Sequence, residues 1–563
     1  MASRHTRAGR LIIIAAIATL ITHFSPLATA QKSGPAPLQE LKTRPERTHY
    51  AETSRYDDVM EFLKVVDGAS ARIHLTTFGY SFEGRPLPLA VVGTMKDATP
   101  EAVRAAGKTR VYIQGNIHAG EVEGKEACLE LLRAIALGQH KEWLDSMILL
   151  VGPIYNPDGN DRINLTNRGG QHGPIGGMGQ RATAQNYDLN RDHMKLDAPE
   201  SRSLARMLQF YDPHVFVDLH TTNGTAHAYH LTYAPPLHPA TAPAVTELLR
   251  TALLPAITKA VKDKYGWDYY YYGNVPGGRG GGAAERAWYT TEPTPRYSAN
   301  YIGLRNRLGI LSETFAYLTF AERIQAARRF LEEICNYVHR HGEEVRRVTA
   351  EADGQSIVGQ QIPILSRPVK SAAPVEILMG EVATERNPYT GAMMRRRLDV
   401  RKPEMMHAYL SFEASESTQA PYAYLVPATL RLVVDRLEAH GVSFSSLKEA
   451  AAVNAERFLI ASSTVAEREY QGHRMRTITG GWEAAAEQNL PAGTIVAPLD
   501  QPLGRLIVLL LEPRSDDGLA AWNLMDEVLE KEKPKYYPIL RTAEPVGPPR
   551  RKAEARDFGG SIP

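Results

Sequence analysis

Residues 110–137 read RVYIQGNIHAGEVEGKEACLELLRAIAL, and this stretch decides the architecture. Its first part, 110–117, is an apolar run of strand length. Its last part, 123–137, repeats apolar residues at helical spacing. A strand that passes through a short Gly-containing turn into a helix is the building unit of an α/β sheet. The neighbouring sequence repeats the unit. Residues 85–92 (RPLPLAVV), 147–154 (MILLVGPI), 215–219 and 308–311 read as strands, and 56–66 and 201–210 as helices. The expected fold is α/β, with a sheet covered on both faces. A long charged helix over 320–348 closes the first domain, which spans 45–350. Residues 355–540 form a second region, mixed α/β, and the Pro-, Arg- and Gly-rich tail 541–563 is expected to be disordered. The run YYYYGNVPGGRGGG at 269–282 reads as a loop.

The chain has 563 residues, 43% apolar and 23% charged, a globular balance too long for one ordinary domain. A formal net charge of +2 without a basic stripe excludes nucleic acid as an expected partner. Residues 1–30 have the form of a secretory signal: Arg4, Arg7 and Arg10, then the apolar run LIIIAAIATLI, then Ala28-Thr29-Ala30 before Gln31. Cleavage is expected after Ala30, with an uncleaved anchor as the alternative. No other stretch is apolar enough to span a membrane. The chain is therefore expected to be secreted or periplasmic. The two cysteines, Cys128 and Cys335, lie in apolar helical runs and read as buried thiols rather than a disulfide scaffold.

Chemistry concentrates at the turn. His118 and Glu121 follow a strand and enter a helix three residues apart, flanked by Gly115 and Gly120. A zinc site needs N or O donors converging from one side, with a position left open. His220, at the end of the strand-like VFVDL, supplies a third ligand at the same sheet edge. A second H-x-x-E, His341 to Glu344, lies on a solvated helix and reads as surface charge. Asp218 is expected to face away from His220. His193, His227 and His230 are left without a role, the last two as ordinary surface or substrate-wall residues.

In these segments the chain resembles the zinc carboxypeptidases, the carboxypeptidase A-like metallopeptidases, as a bacterial secreted member. The landmarks stand in that family's order: GYSFEGR at 79–85, GNIHAGE at 115–121, Asn156-Pro157-Asp158-Gly159, Asn190-Arg191, His220 and Glu313 in GILSETFAY. The resemblance implies an α/β/α sandwich with a mixed eight-stranded sheet over residues 45–350. It implies one zinc per chain, held by His118, Glu121 and His220, and a peptide as substrate. It implies Glu313 as general base, Asn190 and Arg191 as the grip on the C-terminal carboxylate, and a tyrosine that contacts substrate, for which Tyr301 is chosen over Tyr297. An arginine after Asn156–Gly159 is to stabilise the oxyanion; Arg168 is preferred, with Arg162 and Arg181 as competitors. The interval from His118 to His220 is shorter than in digestive members, so pocket-shaping loops are expected to be trimmed. The Gly277–Gly282 run has no place in the family pattern. Two other readings stay open: a zinc deacylase of N-acyl amino acids, similar to aspartoacylase, and a secreted binding protein.

Overall fold

The computed structural model describes residues 38–276 and 285–546. The signal-like segment 1–30, the Gly277–Gly282 run and residues 547–563 of the tail lie outside the described residues. Eight strands make one mixed sheet: β1 (Ile73–Tyr80), β2 (Pro86–Val92), β3 (Thr109–Gly115), β4 (Met147–Gly152), β5 (Val215–Thr222), β6 (Leu231–Ala234), β7 (Tyr269–Tyr271) and β8 (Leu308–Phe315). Their spatial order is β1-β2-β4-β3-β5-β8-β6-β7. The central strands β4, β3, β5 and β8 run parallel. β2 pairs with β4 antiparallel, and β6 with β8 antiparallel. Parallel central strands are covered on both faces, so their sequences are apolar throughout rather than alternating.

Strand parity sorts those residues onto the two faces. Ala90, Val92, Val111, Ile113, Val215, Val217 and Leu219 join one core with α1 (Tyr56–Ala69), α2 (Glu123–Ala136) and α3, the long helix Phe320–Gly354. Leu87, Leu89, Val91, Tyr112 and Phe216 face the other way. There they pack with Leu204, Met207 and Leu208 of the helix Pro199–Tyr211, and the same continuous core includes Val433, Leu437, Leu506 to Leu511 and Trp522. The second region is therefore not a detached module. The division at 355 marks the end of a helix and not the end of a core.

That second region is largely two-stranded antiparallel ribbons and one four-stranded sheet, with the helices Arg431–His440 and Gly504–Leu511. The expected tail starts too early. Leu540–Thr542 is a strand paired with Ala423–Val426, and Arg541 is buried, because its guanidinium meets Glu456 and Thr418. Cys128 and Cys335 are buried free thiols, and burial pushes both thiol pKa values up.

Candidate active site

β3 ends at Gly115, and the chain must turn at once because Pro153 and the first turn of α2 crowd it. A Cβ at Gly115 would lie 2.7 Å from the Pro153 carbonyl oxygen. Asn116 takes up the turn at φ +66, and its amide Nδ2 donates to the carbonyls of Ala119 and Glu121. The Glu121 N–H donates to the His118 carbonyl at 2.8 Å, which brings both side chains to one side. A side chain at Gly120 would collide with the Gly179 carbonyl oxygen at 2.7 Å and press on Arg168. The glycines around the motif are thus consequences of close backbone approach. Behind the turn, the buried Glu123 carboxylate accepts from the hydroxyls of Thr221 and Thr314, tying α2 to β5 and β8.

His118, Glu121 and His220 come together, all buried, with potential donor atoms within 4.8 Å of one another. His118 Nδ1 lies 3.0 Å from Glu121 Oε1, His220 Nδ1 lies 2.9 Å from Glu121 Oε2, and the two Nδ1 atoms are 3.1 Å apart. The outward nitrogens are held by carboxylates: His118 Nε2 by Asp188 at 3.0 Å and His220 Nε2 by Asp218 at 2.9 Å. An Nε2–H donated to a carboxylate leaves the Nδ1 lone pair for a metal, which is the arrangement that orients metal-binding histidines. Two imidazole nitrogens and a carboxylate around an open pocket match the donor set of zinc. Asp218 corrects the sequence expectation: residues two apart on a strand share a face, so it stands beside His220. It also accepts from Ser298 Oγ at 2.5 Å and from Gln114 at 3.0 Å.

Burial works against the charge on Glu121 and His220, and their partners reverse it. His220 is pushed well above the usual imidazole value because Asp218 and Glu121 outweigh burial. Glu121 is held well below the usual carboxylate value, against burial, by His118 and Arg168. Glu313 goes the other way. Burial, reinforced by Glu121, raises it to about 8, although His220, Arg181 and Arg168 oppose the rise. Glu313 sits level with His220 in the β5–β8 register, and its Oε2 is buried without a protein partner.

One cavity of about 370 Å³ is lined by His118, Glu121, His220, Glu313, Asn190, Arg191, Arg168 and Arg181, together with Tyr272 and Tyr297. Arg162 does not line it and pairs with Glu83. Arg168, at φ +53, donates to Glu121, and Arg181 donates to Asp188 at 2.9 Å. The preferred Arg168 and one competitor, Arg181, thus remain at the site, and the other competitor, Arg162, does not. Asn190 Oδ1 accepts the Ser298 N–H at 2.9 Å. The Arg191 guanidinium lies 4.2 Å over the Tyr297 ring.

Tyr301 is misplaced in the sequence reading. It is buried outside the pocket, with its hydroxyl 2.8 Å from His440 Nδ1. Tyr297 precedes the helix Ser298–Leu304 in extended backbone (φ −85, ψ 143), so it leaves the chain in another direction and reaches the pocket. His227 and His230 are buried rather than at the surface or on a substrate wall, stacked near Phe315 and Trp267. His193 is buried too, its Nδ1 3.1 Å from the Arg296 carbonyl. His341 and Glu344 are exposed, as their charged helix suggested.

Two motifs that carried the resemblance prove to be one structural unit. Asp158 accepts from Ser81 Oγ at 2.7 Å, from the Glu83 N–H at 2.9 Å and from Arg85 at 2.7 Å. Asn156 caps the next turn by accepting the Gly159 N–H at 2.9 Å. They brace the loop behind the metal turn and touch no substrate space.

Residues 59–292 match the zinc carboxypeptidase family. Carboxypeptidase 2 of Trichophyton tonsurans is 24% identical over 82% of this chain and 81% of its own length. Probable carboxypeptidase 2 of Trichophyton verrucosum is 31% identical over 25% of this chain and 24% of its own. Among solved structures, a metallo-carboxypeptidase from Burkholderia cenocepacia is 18% identical, with a TM-score of 0.37 over 52% of this chain and 71% of that one. The protein is a metal-dependent peptide hydrolase, built on the mixed eight-stranded sheet that the sequence led us to expect. Its similarity to the zinc carboxypeptidases is carried by residues 59–292, which include the three-donor cluster, and its similarity to carboxypeptidase 2 of Trichophyton tonsurans extends over most of its length. The deacylase and binding-protein readings are not favoured beside these matches.

Proposed function

We propose that the enzyme removes the C-terminal residue of peptides, preferring an apolar one, with one zinc on His118, Glu121 and His220 and with Glu313 as general base. The observation that carries this reading is Glu313 Oε2, buried and unpartnered in the same cavity as the three-donor cluster. Zinc, when bound, supplies a Lewis acid for the scissile carbonyl and lowers the pKa of a water. Glu313 accepts that water's proton at Oε2 and passes it to the leaving amine. Arg168 or Arg181 faces the developing oxyanion. Asn190 and Arg191 receive the terminal carboxylate, which suits a planar guanidinium.

The side-chain preference follows from what lies one residue pair below Glu313. Leu311 shares its face of β8, Ala234 pairs with Leu311, and Ala299 and Tyr272 complete an apolar patch. The acidic groups on the cavity wall are Glu121 and Glu313, both committed to chemistry, so a cationic terminal side chain finds no counter-charge. Secretion is inferred from the basic, apolar and small-residue pattern of residues 1–30. No helix among the described residues is long and apolar enough to cross a membrane.

The test is mass spectrometry of a peptide library after incubation, with and without chelator, using wild type and Glu313→Gln. Release of single apolar residues from the C-terminal end, abolished by chelator, is expected. Glu313→Gln should retain zinc and lose about 10²–10⁴ in kcat. Internal cuts, or near-normal turnover of the variant, would refute the reading.

A further inference from the structure

A hairpin of the second region reaches Arg191, which lines the catalytic pocket. Its strands Phe458–Val465 and Arg476–Trp482 pair antiparallel, and their connection carries Tyr470, Gln471 and His473. Tyr470 and His473 close the tip on each other through backbone hydrogen bonds of 2.7 and 3.1 Å. Gln471 and Gly472 both take positive φ, +53 and +79, and a Cβ at Gly472 would stand 3.1 Å from the Tyr187 ring. The tip therefore lies flat against residues 187–191.

Its side chains hold both ends of that segment. Gln471 Oε1 accepts the Asp188 N–H at 2.7 Å, and Asp188 is the carboxylate behind His118. The Tyr470 hydroxyl accepts from Arg191 Nε at 3.0 Å, while Arg191 NH1 is turned back to the Asn190 carbonyl at 2.8 Å. With Tyr297 beneath the guanidinium, Arg191 is fixed on three sides and Nη2 is left for a ligand. Tyr470 is itself packed, its ring stacked on Trp522 and lying under Arg296, which is paired with Asp517.

We propose that Tyr470 is a positioning residue for chain-end recognition: the second region sets the orientation in which Arg191 meets the substrate carboxylate. This rests on the reading of Arg191 as the carboxylate grip. A long arginine free to sample rotamers would lose the ordering entropy on each binding event, whereas one held by Tyr470 and Tyr297 is already oriented. The effect belongs to substrate binding and not to proton transfer, which sets its kinetic signature.

The experiment compares full-length, zinc-loaded wild type, Tyr470→Phe and Arg191→Ala, each on the free acid and the amide of one peptide with an apolar C-terminal residue. Wild type should prefer the acid by about 10² or more in kcat/KM, since an amidated end leaves the guanidinium unpaired. Arg191→Ala should lose most of that preference. Tyr470→Phe keeps the ring and removes only the hydroxyl. It should raise KM for the acid by about tenfold, leave kcat within about twofold, and leave the amide kinetics as in wild type. An unchanged KM in Tyr470→Phe, with Arg191→Ala discriminating poorly, overturns the role of Tyr470 and leaves the grip intact. Full discrimination by Arg191→Ala overturns the grip, and the proposal with it. An equal loss on acid and amide in Tyr470→Phe also overturns it, because general loosening would not choose between them.

Discussion

Asp188 and Asp218 each hold the outer nitrogen of one histidine of the three-donor cluster, and neither belongs to that cluster. Losing such a carboxylate weakens a metal site without dismantling it, by about 10–100-fold in affinity. Asp218→Asn should therefore bind zinc stoichiometrically at high concentration yet release it to a chelator that wild type resists. His118→Ala and His220→Ala should retain no stoichiometric zinc, and His341→Ala should match wild type, its ring being exposed. Competition titration with a chromogenic chelator reads all four, and wild-type affinity in Asp218→Asn would show that the hydrogen bond does not tune the site. At this scale the sequence was informative where chemistry demands a residue type. His118, Glu121, His220 and Glu313 could be picked out from the order of the family's landmarks, and they come together at one cavity. Asp218 was equally legible, by counting two along a strand. Tyr297 was not: whether it or Tyr301 faces substrate depends on where the helix Ser298–Leu304 begins, and boundaries are the least certain part of a pattern.

The hairpin that carries Tyr470 is latched by a second contact. His473 Nε2 lies 2.6 Å from Asp197 and its Nδ1 2.5 Å from Asn523, with Lys195 and Arg436 also on Asp197. Burial lowers the His473 pKa, but Asp197 and Asn523 overcome it and the net shift is upward. Asp197 is shifted down, against burial, by His473 and Lys195. The signs fix a window. A histidine raised on folding stabilises fully below its unfolded value near 6.5, and that contribution is lost as pH rises through the folded value. An aspartate lowered on folding stabilises above its unfolded value near 3.8, and that is lost as pH falls through the folded value. The latch should be tightest between about pH 4 and 6.5. Hydrogen exchange at residues 468–475 should accelerate as pH rises above that window, once the intrinsic pH dependence of exchange is removed, and His473→Gln should abolish the change. Flat protection in wild type as pH rises above that window would show that the tip is held without the charge. Element existence was readable from apolar runs; the fitting of this tip onto residues 187–197 was not, because those segments are nearly three hundred positions apart and share no pattern.

The largest gap between sequence and structure concerns what the second region is. Apolar runs after Gly354 signalled buried segments, but periodicity says that a residue is buried and not against what. Leu506 to Leu511 are all fully buried, in a core that also contains Leu204, Met207 and Leu208 of the Pro199–Tyr211 helix and Phe216 of β5. One face of the catalytic sheet is thus covered by α1, α2 and α3, and the other by the helices Pro199–Tyr211 and Ser298–Leu304, against which the second region packs in turn. A protein truncated after Gly354 would retain every proposed ligand and Glu313, yet would expose the apolar residues of those two helices that pack against the second region. Surfaces of this kind are rare on soluble monomers and drive association. The truncated chain should therefore be recovered as aggregates, or bind a hydrophobic dye strongly without a cooperative melt. The full chain should melt in one transition, because unfolding either region uncovers the core of the other. Calorimetry of the full chain and sedimentation of the truncated one decide the matter. A monomeric truncation that melts cooperatively would show that the first domain closes its own core, and two separated transitions in the full chain would say the same.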